Sequence, residues 1–289
     1  MRPTYVTDKD LHEFVDRALA EDLGDGDHSS LASIPAEAVS SGYLLMKENG
    51  VIAGLELAAI IFHKLDPGME LTTLVKDGDL VKKGDVIFRL KGNARAILSG
   101  ERLFLNCLQR MSGIATKTHE LTQLIRGTKA KLLDTRKTTP NMRMLEKWAV
   151  VLGGGVNHRY GLYDMIMLKD NHNDFAGGIT QAVNATKQYL KTEGKDLKIE
   201  VETRNLAEVE EALAVGGVDR IMLDNMSPQE MTHAVALIDG RSETEASGGI
   251  TADTIRAVAL TGVDYISVGA LTHSIKSLDI SLKADSFEK

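Results

Sequence analysis

Between positions 8 and 19 apolar residues fall at Leu11, Phe14, Val15 and Leu19, the three-and-four spacing that gathers side chains on one face of a helix. Thr7 stands where an N-cap belongs, so the chain is expected to open with an amphipathic helix. From about 42 to 90 the pattern shortens to runs at 42–46, 51–53, 69–75 and 86–90. Turn signals at Asn49-Gly50, Asp66-Pro67-Gly68, Asp77-Gly78-Asp79 and Lys83-Gly84-Asp85 separate these runs. That alternation predicts a small antiparallel sheet and, with the first helix, an α+β domain.

The pattern turns helical again over 96–125. Phe104, Cys107, Leu108 and Met111 share one side of the wheel, which leaves Arg102, Asn106 and Gln109 on the other. Arg102 should therefore face away from its own core, either solvated or offered to another subunit or domain. After 128 the texture becomes repeated β-then-α. Six apolar runs read as buried parallel strands: 131–134, 164–168, 198–201, 220–223, 243–246 and 265–268. Helical stretches at 207–214, 228–237 and 252–260 space the later strands by about 22 residues, as βα units require. A (β/α) barrel is the expected result. A doubly wound sheet also alternates, but no Gly-x-Gly-x-x-Gly or P-loop phrase opens a helix here. The Lys82-Lys83 phrase has the look of a biotinyl or lipoyl carrier hairpin, yet a carrier presents one lysine alone at the tip, and the tandem reads as an ordinary turn.

Composition narrows the functions. The 289 residues carry 34 Lys plus Arg against 41 Asp plus Glu, a net charge of −7, which argues against a grip on nucleic-acid phosphates. Hydrophobic residues at 43% and charged ones at 26% are ordinary for a globular chain. The single cysteine, Cys107, allows neither an internal disulfide nor a multi-cysteine metal site and suggests a reducing compartment. The first residues mix acids and bases without an apolar run, and the stretch 51–62 is broken by Glu56 and falls short of the roughly 20 residues a bilayer needs. A cytoplasmic protein without membrane contact is expected.

In a (β/α) barrel the chemistry gathers at the carboxyl ends of the strands. Here those ends read Thr135-Arg136-Lys137-Thr138-Thr139-Pro140, Lys169-Asp170-Asn171-His172, Glu202-Thr203-Arg204, Asp224-Asn225, Ser247-Gly248-Gly249 and Gly269-Ala270, with Asn157-His158-Arg159 ahead of the second strand. Any one of these groups alone reads as a solvated or capping residue, but polar or glycine signals at six consecutive ends point to an active site. Arg136, Lys137, His158, Arg159 and Lys169 can line one mouth as a cationic cluster, so the substrate should be polyanionic. The glycines of Ser247-Gly248-Gly249 and Gly269-Ala270 allow backbone amides near a phosphate, with help from the helix N-termini that follow. Glu202 and Asp224, on neighbouring strands, can hold a hydrated Mg²⁺ or ribose hydroxyls, or stabilise developing positive charge. His158 and His172 share no ligand spacing with a carboxylate on one helix, which argues against zinc.

These phrases resemble the quinolinate phosphoribosyltransferase family, whose members make a nucleotide of de novo NAD synthesis. The resemblance runs through Ala20-Glu21-Asp22-Leu23-Gly24-Asp25-Gly26-Asp27, Glu101-Arg102, Gln109-Arg110-Met111-Ser112-Gly113, Asp134-Thr135-Arg136-Lys137-Thr138-Thr139-Pro140, Asn157-His158-Arg159-Tyr160-Gly161, Leu168-Lys169-Asp170-Asn171-His172, Glu200-Val201-Glu202, Leu223-Asp224-Asn225, Ser247-Gly248-Gly249-Ile250 and Ser267-Val268-Gly269-Ala270. Its departure is Asp27-His28-Ser29-Ser30, where many members have Asp-Val-Thr-Thr. The resemblance implies an N-terminal α/β sandwich domain over 1–112, completed by about 272–289, and an incomplete α/β barrel of about seven strands over 113–271.

It further implies a homodimer with shared sites, in which Arg102 enters the partner's site to bind quinolinate. Phosphoribosyl pyrophosphate, chelating Mg²⁺, would lie with its pyrophosphate near Lys137 and its 5′-phosphate on Ser247-Gly248-Gly249 and Val268-Gly269-Ala270. Thr135, Arg136, His158, Arg159 and Lys169 complete the implied substrate contacts, and Lys137, Lys169, Glu202 and Asp224 the implied catalytic set. Three other readings compete. A Schiff-base aldolase would use Lys169 or Lys137, although so many nearby cations suit anion binding better. A scaffold protein would leave the strand-end cluster unexplained. A paralogous phosphoribosyltransferase would act on another pyridine or base.

Overall fold

The computed structural model describes residues 2–285. They form α1 (Asp8–Leu23), α2 (His28–Ser33), β1 (Val39–Met46), β2 (Gly50–Val51), α3 (Leu55–Leu65), β3 (Glu70–Thr73), β4 (Leu80–Val81), β5 (Val86–Asn93) and α4 (Ala94–Leu124). The chain continues through β6 (Lys131–Leu133), α5 (Arg143–Leu152), β7 (Ile166–Leu168), α6 (Asp170–Ala176), α7 (Ile179–Glu193), β8 (Ile199–Thr203) and α8 (Leu206–Val215). Last come β9 (Arg220–Asp224), α9 (Pro228–Ile238), β10 (Glu243–Ser247), α10 (Ile255–Ala259), β11 (Tyr265–Ser267), α11 (Ala270–His273) and β12 (Ile280–Ala284). Among the described residues two compact units result, one of 2–119, 139–154 and 274–285, the other of 120–138 and 155–273. The stretch 139–154, expected within 113–271, groups with the first unit, and residues 286–289 of the completing segment lie outside the described residues.

In the first unit an antiparallel sheet runs in the order β12-β1-β5-β3. Helix α1 begins as its sequence requires: the Thr7 hydroxyl accepts the Asp10 amide at 3.1 Å, and Leu11, Val15 and Leu19 turn inward and are buried. Helix α3 is the element the alternating pattern concealed. Gly54, at φ +107°, turns the chain out of β2, and the Asp77 carboxylate accepts the Gly54 and Leu55 amides at 2.6 and 3.0 Å, capping the helix from a distant turn. A short apolar run does not reveal its period, so 51–62 hid a strand followed by a helix.

On α4 the expected stripe is buried, with the Phe104 ring 5.3 Å from both Phe62 and Phe88. Burial pushes the Cys107 thiol up to about 12, so it stays a neutral packing group. Arg102 and Asn106 are exposed. Gln109, on the same side of the wheel, is half-buried: its side-chain amide donates to Ile280 O at 2.7 Å and ties down the start of β12.

The second unit holds a six-stranded parallel sheet in the order β6-β11-β10-β9-β8-β7. First and last strands in sequence lie side by side, as barrel closure demands, and each of the six expected strands begins or ends within two residues of its observed bounds. The seventh position is taken by one isolated bridge, Leu133 with Val156, so the barrel is seamed between β6 and β7. Along these strands Val201, Leu223, Ala246 and Ile266 are fully buried, while the alternate positions, among them Glu200, Glu202 and Glu245, turn to the other face. No helix among the described residues is long and apolar enough to cross a membrane.

Candidate active site

A cavity of about 730 Å³ opens at the carboxyl ends of the barrel strands. Thr135, Arg136 and Lys137 reach it from the end of β6, His158 and Arg159 from the segment after the Val156 bridge, and Lys169 from the end of β7. Glu202 of β8, Asp224 of β9 and Ser247-Gly248-Gly249 at the end of β10 line it as well, as do Val268, Gly269 and Ala270 after β11. The structure thus brings together every expected site residue of the second unit. Arg102, exposed on α4 in the first unit, is not among the lining residues.

The cations crowd one another. Burial and the nearby Arg136 guanidinium both pull the Arg159 pKa down, the mark of like charges held together. Arg159 is anchored by a bond from its guanidinium to Met165 O at 3.1 Å. Lys137 is exposed and its backbone is fixed twice: its amide donates to Thr135 Oγ1 at 3.1 Å, and its carbonyl accepts the Thr272 hydroxyl at 2.7 Å. A cavity with this lining suits a ligand carrying several negative charges.

Opposite stand the carboxylates. Burial raises the Glu202 pKa, with Asp224 and Asp170 adding repulsion, and Lys169 opposes the rise. Two mutually repelling oxygen ligands on adjacent strands are a donor set for a hard cation, and Mg²⁺ fits them by charge and chemistry.

Gly248 lies at φ +94°, and a Cβ there would run into the Asn225 side chain; Gly249 follows at φ +59° with open space around it. With no side chain at either glycine, an anion can approach the backbone amides of this stretch closely. The expected helix dipoles do not contribute, because α10 begins only at Ile255 and α11 spans four residues, too few aligned peptides. His172 serves its own helix: its Nδ1 accepts the Lys169 amide at 3.0 Å in a capping box on α6.

His158 is more deeply embedded than its place in a cationic mouth suggested. It is 8% exposed, and its Nε2 lies 3.1 Å from Glu200 and 3.4 Å from Glu245. Burial disfavours a charged ring, but the two acids outweigh it and pull the pKa up to about 9. The Arg159 amide, 2.7 Å from Nδ1, favours a lone pair on that nitrogen instead. In either state Nε2 carries a proton toward the acids. Arg220 completes the balance, 2.9 Å from Glu245 and 3.0 Å from Glu243, with its guanidinium stacked 4.1 Å from the Tyr265 ring. His158, Glu200, Glu245 and Arg220 therefore form an ion-paired cluster inside the barrel. Sequence reading missed Glu200, Glu245 and Arg220, and also His273, which lines the cavity beside Gly269. The alternation Glu200-Glu202 and Glu245-Ser247 was the available signal, since a period of two puts each pair on one face.

Comparison with known proteins divides the chain near residue 113. Residues 27–112 match the family model described as "Quinolinate phosphoribosyl transferase, N-terminal domain", and residues 114–283 match its C-terminal counterpart. The chain is 47% identical to "Nicotinate-nucleotide pyrophosphorylase [carboxylating], chloroplastic" of Arabidopsis thaliana, over 98% of this chain and 84% of that protein. It is 45% identical to a probable nicotinate-nucleotide pyrophosphorylase [carboxylating] of Bacillus subtilis, over 94% of this chain and 92% of the relative. Among solved structures, the nicotinate-nucleotide pyrophosphorylase from Francisella tularensis superposes with a TM-score of 0.90 at 40% identity, covering 97% of this chain and 98% of that one.

Proposed function

This chain belongs to the quinolinate phosphoribosyltransferase family, and from that premise we infer that it converts quinolinate and phosphoribosyl pyrophosphate to nicotinate mononucleotide, CO₂ and pyrophosphate in de novo NAD synthesis. The observation that carries the reading is one cavity in which Arg136, Lys137, His158, Arg159 and Lys169 meet the carboxylates of Glu202 and Asp224. Quinolinate has two carboxylates on adjacent ring carbons, and the planar guanidinium groups of Arg136 and Arg159, with Lys169, can pair with both. Lys137 faces the pyrophosphate, while the Gly248-Gly249 backbone and the Val268-Gly269-Ala270 turn receive the 5′-phosphate.

The chemistry asks little covalent work of the protein. As the bond from ribose C1 to pyrophosphate breaks, positive charge builds on the ribose ring, and Glu202 and Asp224 stabilise it. The pyridine nitrogen donates its lone pair to C1, and the ring becomes a cation. The bond from ring C2 to its carboxylate then breaks, CO₂ leaves, and the electron pair remaining on C2 beside the cationic nitrogen takes up a proton. No Schiff base is needed, which sets aside the aldolase reading of Lys137 and Lys169. Glu202 and Asp224 would hold Mg²⁺ where phosphoribosyl pyrophosphate brings it, and the ion would neutralise charge on the leaving group.

The site is shared in a homodimer: Arg102, exposed on α4 and outside the cavity lining of its own chain, reaches the partner's quinolinate. A cytoplasmic setting accords with the lone, buried Cys107; relatives from plants carry names that place them in chloroplasts and mitochondria. Acceptor specificity tests the reading against a paralogous enzyme for another pyridine. Nicotinate lacks the carboxylate next to nitrogen and leaves crowded cations unpaired, so kcat/KM for nicotinate should fall roughly a hundredfold below that for quinolinate. Equal or better use of nicotinate would overturn the assignment.

A further inference from the structure

At the barrel seam, backbone pairing between β6 and the segment that stands in for a seventh strand is confined to the Leu133–Val156 bridge. The Val156 amide donates to Leu132 O at 2.8 Å, and the Asp134 amide donates to Val156 O at a longer 3.3 Å. One residue further the ladder gives way to a side chain. Asp134 is fully buried, its Oδ1 accepts the His158 amide at 2.8 Å, and its Oδ2 accepts the Asn157 side-chain amide at 2.7 Å. The carboxylate thus joins two loops of the cavity rim. Thr135, Arg136 and Lys137 follow Asp134 directly in sequence, while His158 and Arg159 form the opposite loop that it holds.

The hold passes onward, because the Arg159 amide donates to His158 Nδ1 at 2.7 Å, so fixing the His158 backbone also fixes the ring and the start of Arg159. Burying a carboxylate is costly, and a regular strand would have satisfied the same amide with a carbonyl at less expense. What a carboxylate adds is two acceptors directed at one short segment and a negative charge behind cations that repel one another, as Arg136 and Arg159 do. We propose that Asp134 is a positioning residue for quinolinate recognition, a carboxylate that replaces missing strand pairing and sets His158 and Arg159 against Arg136. The proposal rests on the reading that this pair of residues faces quinolinate.

An exchange of partners tests it. Asp134→Asn puts an amide against Asn157 and Asn157→Asp puts two carboxylates together, whereas the double variant restores one acid and one amide in reversed positions. Each single variant is expected to raise quinolinate KM roughly tenfold to a hundredfold, the loss of a charge-assisted hydrogen bond. The KM for phosphoribosyl pyrophosphate should stay within about threefold, and the double variant should recover most of the quinolinate affinity. Asn157→Asp acts on the half-buried side of the contact and keeps the test open if Asp134→Asn fails to fold. Unchanged quinolinate KM in both folded single variants would overturn the proposal, as would parallel losses for both substrates without recovery in the double variant. Calorimetry on the unsubstituted protein separates the levels. Quinolinate binding there, with equal binding by folded Asp134→Asn, refutes the positioning role alone; no quinolinate binding at all refutes the functional reading and the proposal with it.

Discussion

Replacing Glu202 and Asp224 together with alanine is expected to lower kcat by roughly a thousandfold while quinolinate KM changes little, because both carboxylates serve charge that develops only as pyrophosphate departs. Stability should move the other way or not at all. Burial and the neighbouring Asp224 hold the Glu202 pKa up, so the folded protein already bears the strain of two acids set together. Removing both relieves that strain, and the thermal midpoint should be unchanged or higher. Steady-state kinetics with saturating substrates, beside a thermal melt, checks both halves. A kcat within tenfold of the unsubstituted enzyme would remove the proposed role of the pair.

The second large effect belongs to Arg102. Arg102→Ala should lower kcat/KM for quinolinate by roughly a hundredfold or more, since a guanidinium pairing with a carboxylate in a closed site loses its partner. Its exposure on α4 argues that the fold will not suffer. Subunit mixing distinguishes a shared site from a local effect. Arg102→Ala and Lys169→Ala chains, each nearly inactive, should on mixing form dimers with one intact site and recover about one quarter of full activity by random pairing. Absence of recovery, in mixtures shown to exchange subunits, would contradict a site built from two chains.

The barrel was legible because buried parallel strands leave continuous apolar runs, and Lys131–Leu133, Arg220–Asp224 and Glu243–Ser247 lie close to where those runs fall. Strand ends then located the mouth, and the polar residues after each run do line one cavity. What escaped was polarity inside the strands. Glu200 and Glu245 sit within runs read as apolar, and only their alternation with Val201 and Ala246 marks the inward face on which they meet His158. Distant caps escaped too, for nothing local in 54–56 announces that Asp77 will start α3. The seam was equally hidden: that Asp134 would substitute for strand pairing depends on side-chain geometry that spacing does not encode.

The net charge of −7 and the cationic mouth are compatible because one describes the whole chain and the other a single cavity. That cavity is assigned to two small polyanions and one decarboxylating transfer, so the decisive measurement follows the carboxylate itself. With quinolinate isotopically labelled at the carboxyl next to nitrogen, together with phosphoribosyl pyrophosphate and Mg²⁺, each turnover should release labelled CO₂ in equal amount with nicotinate mononucleotide and pyrophosphate. Nucleotide formed without labelled CO₂, or no nucleotide while nicotinate is used readily, would contradict the account.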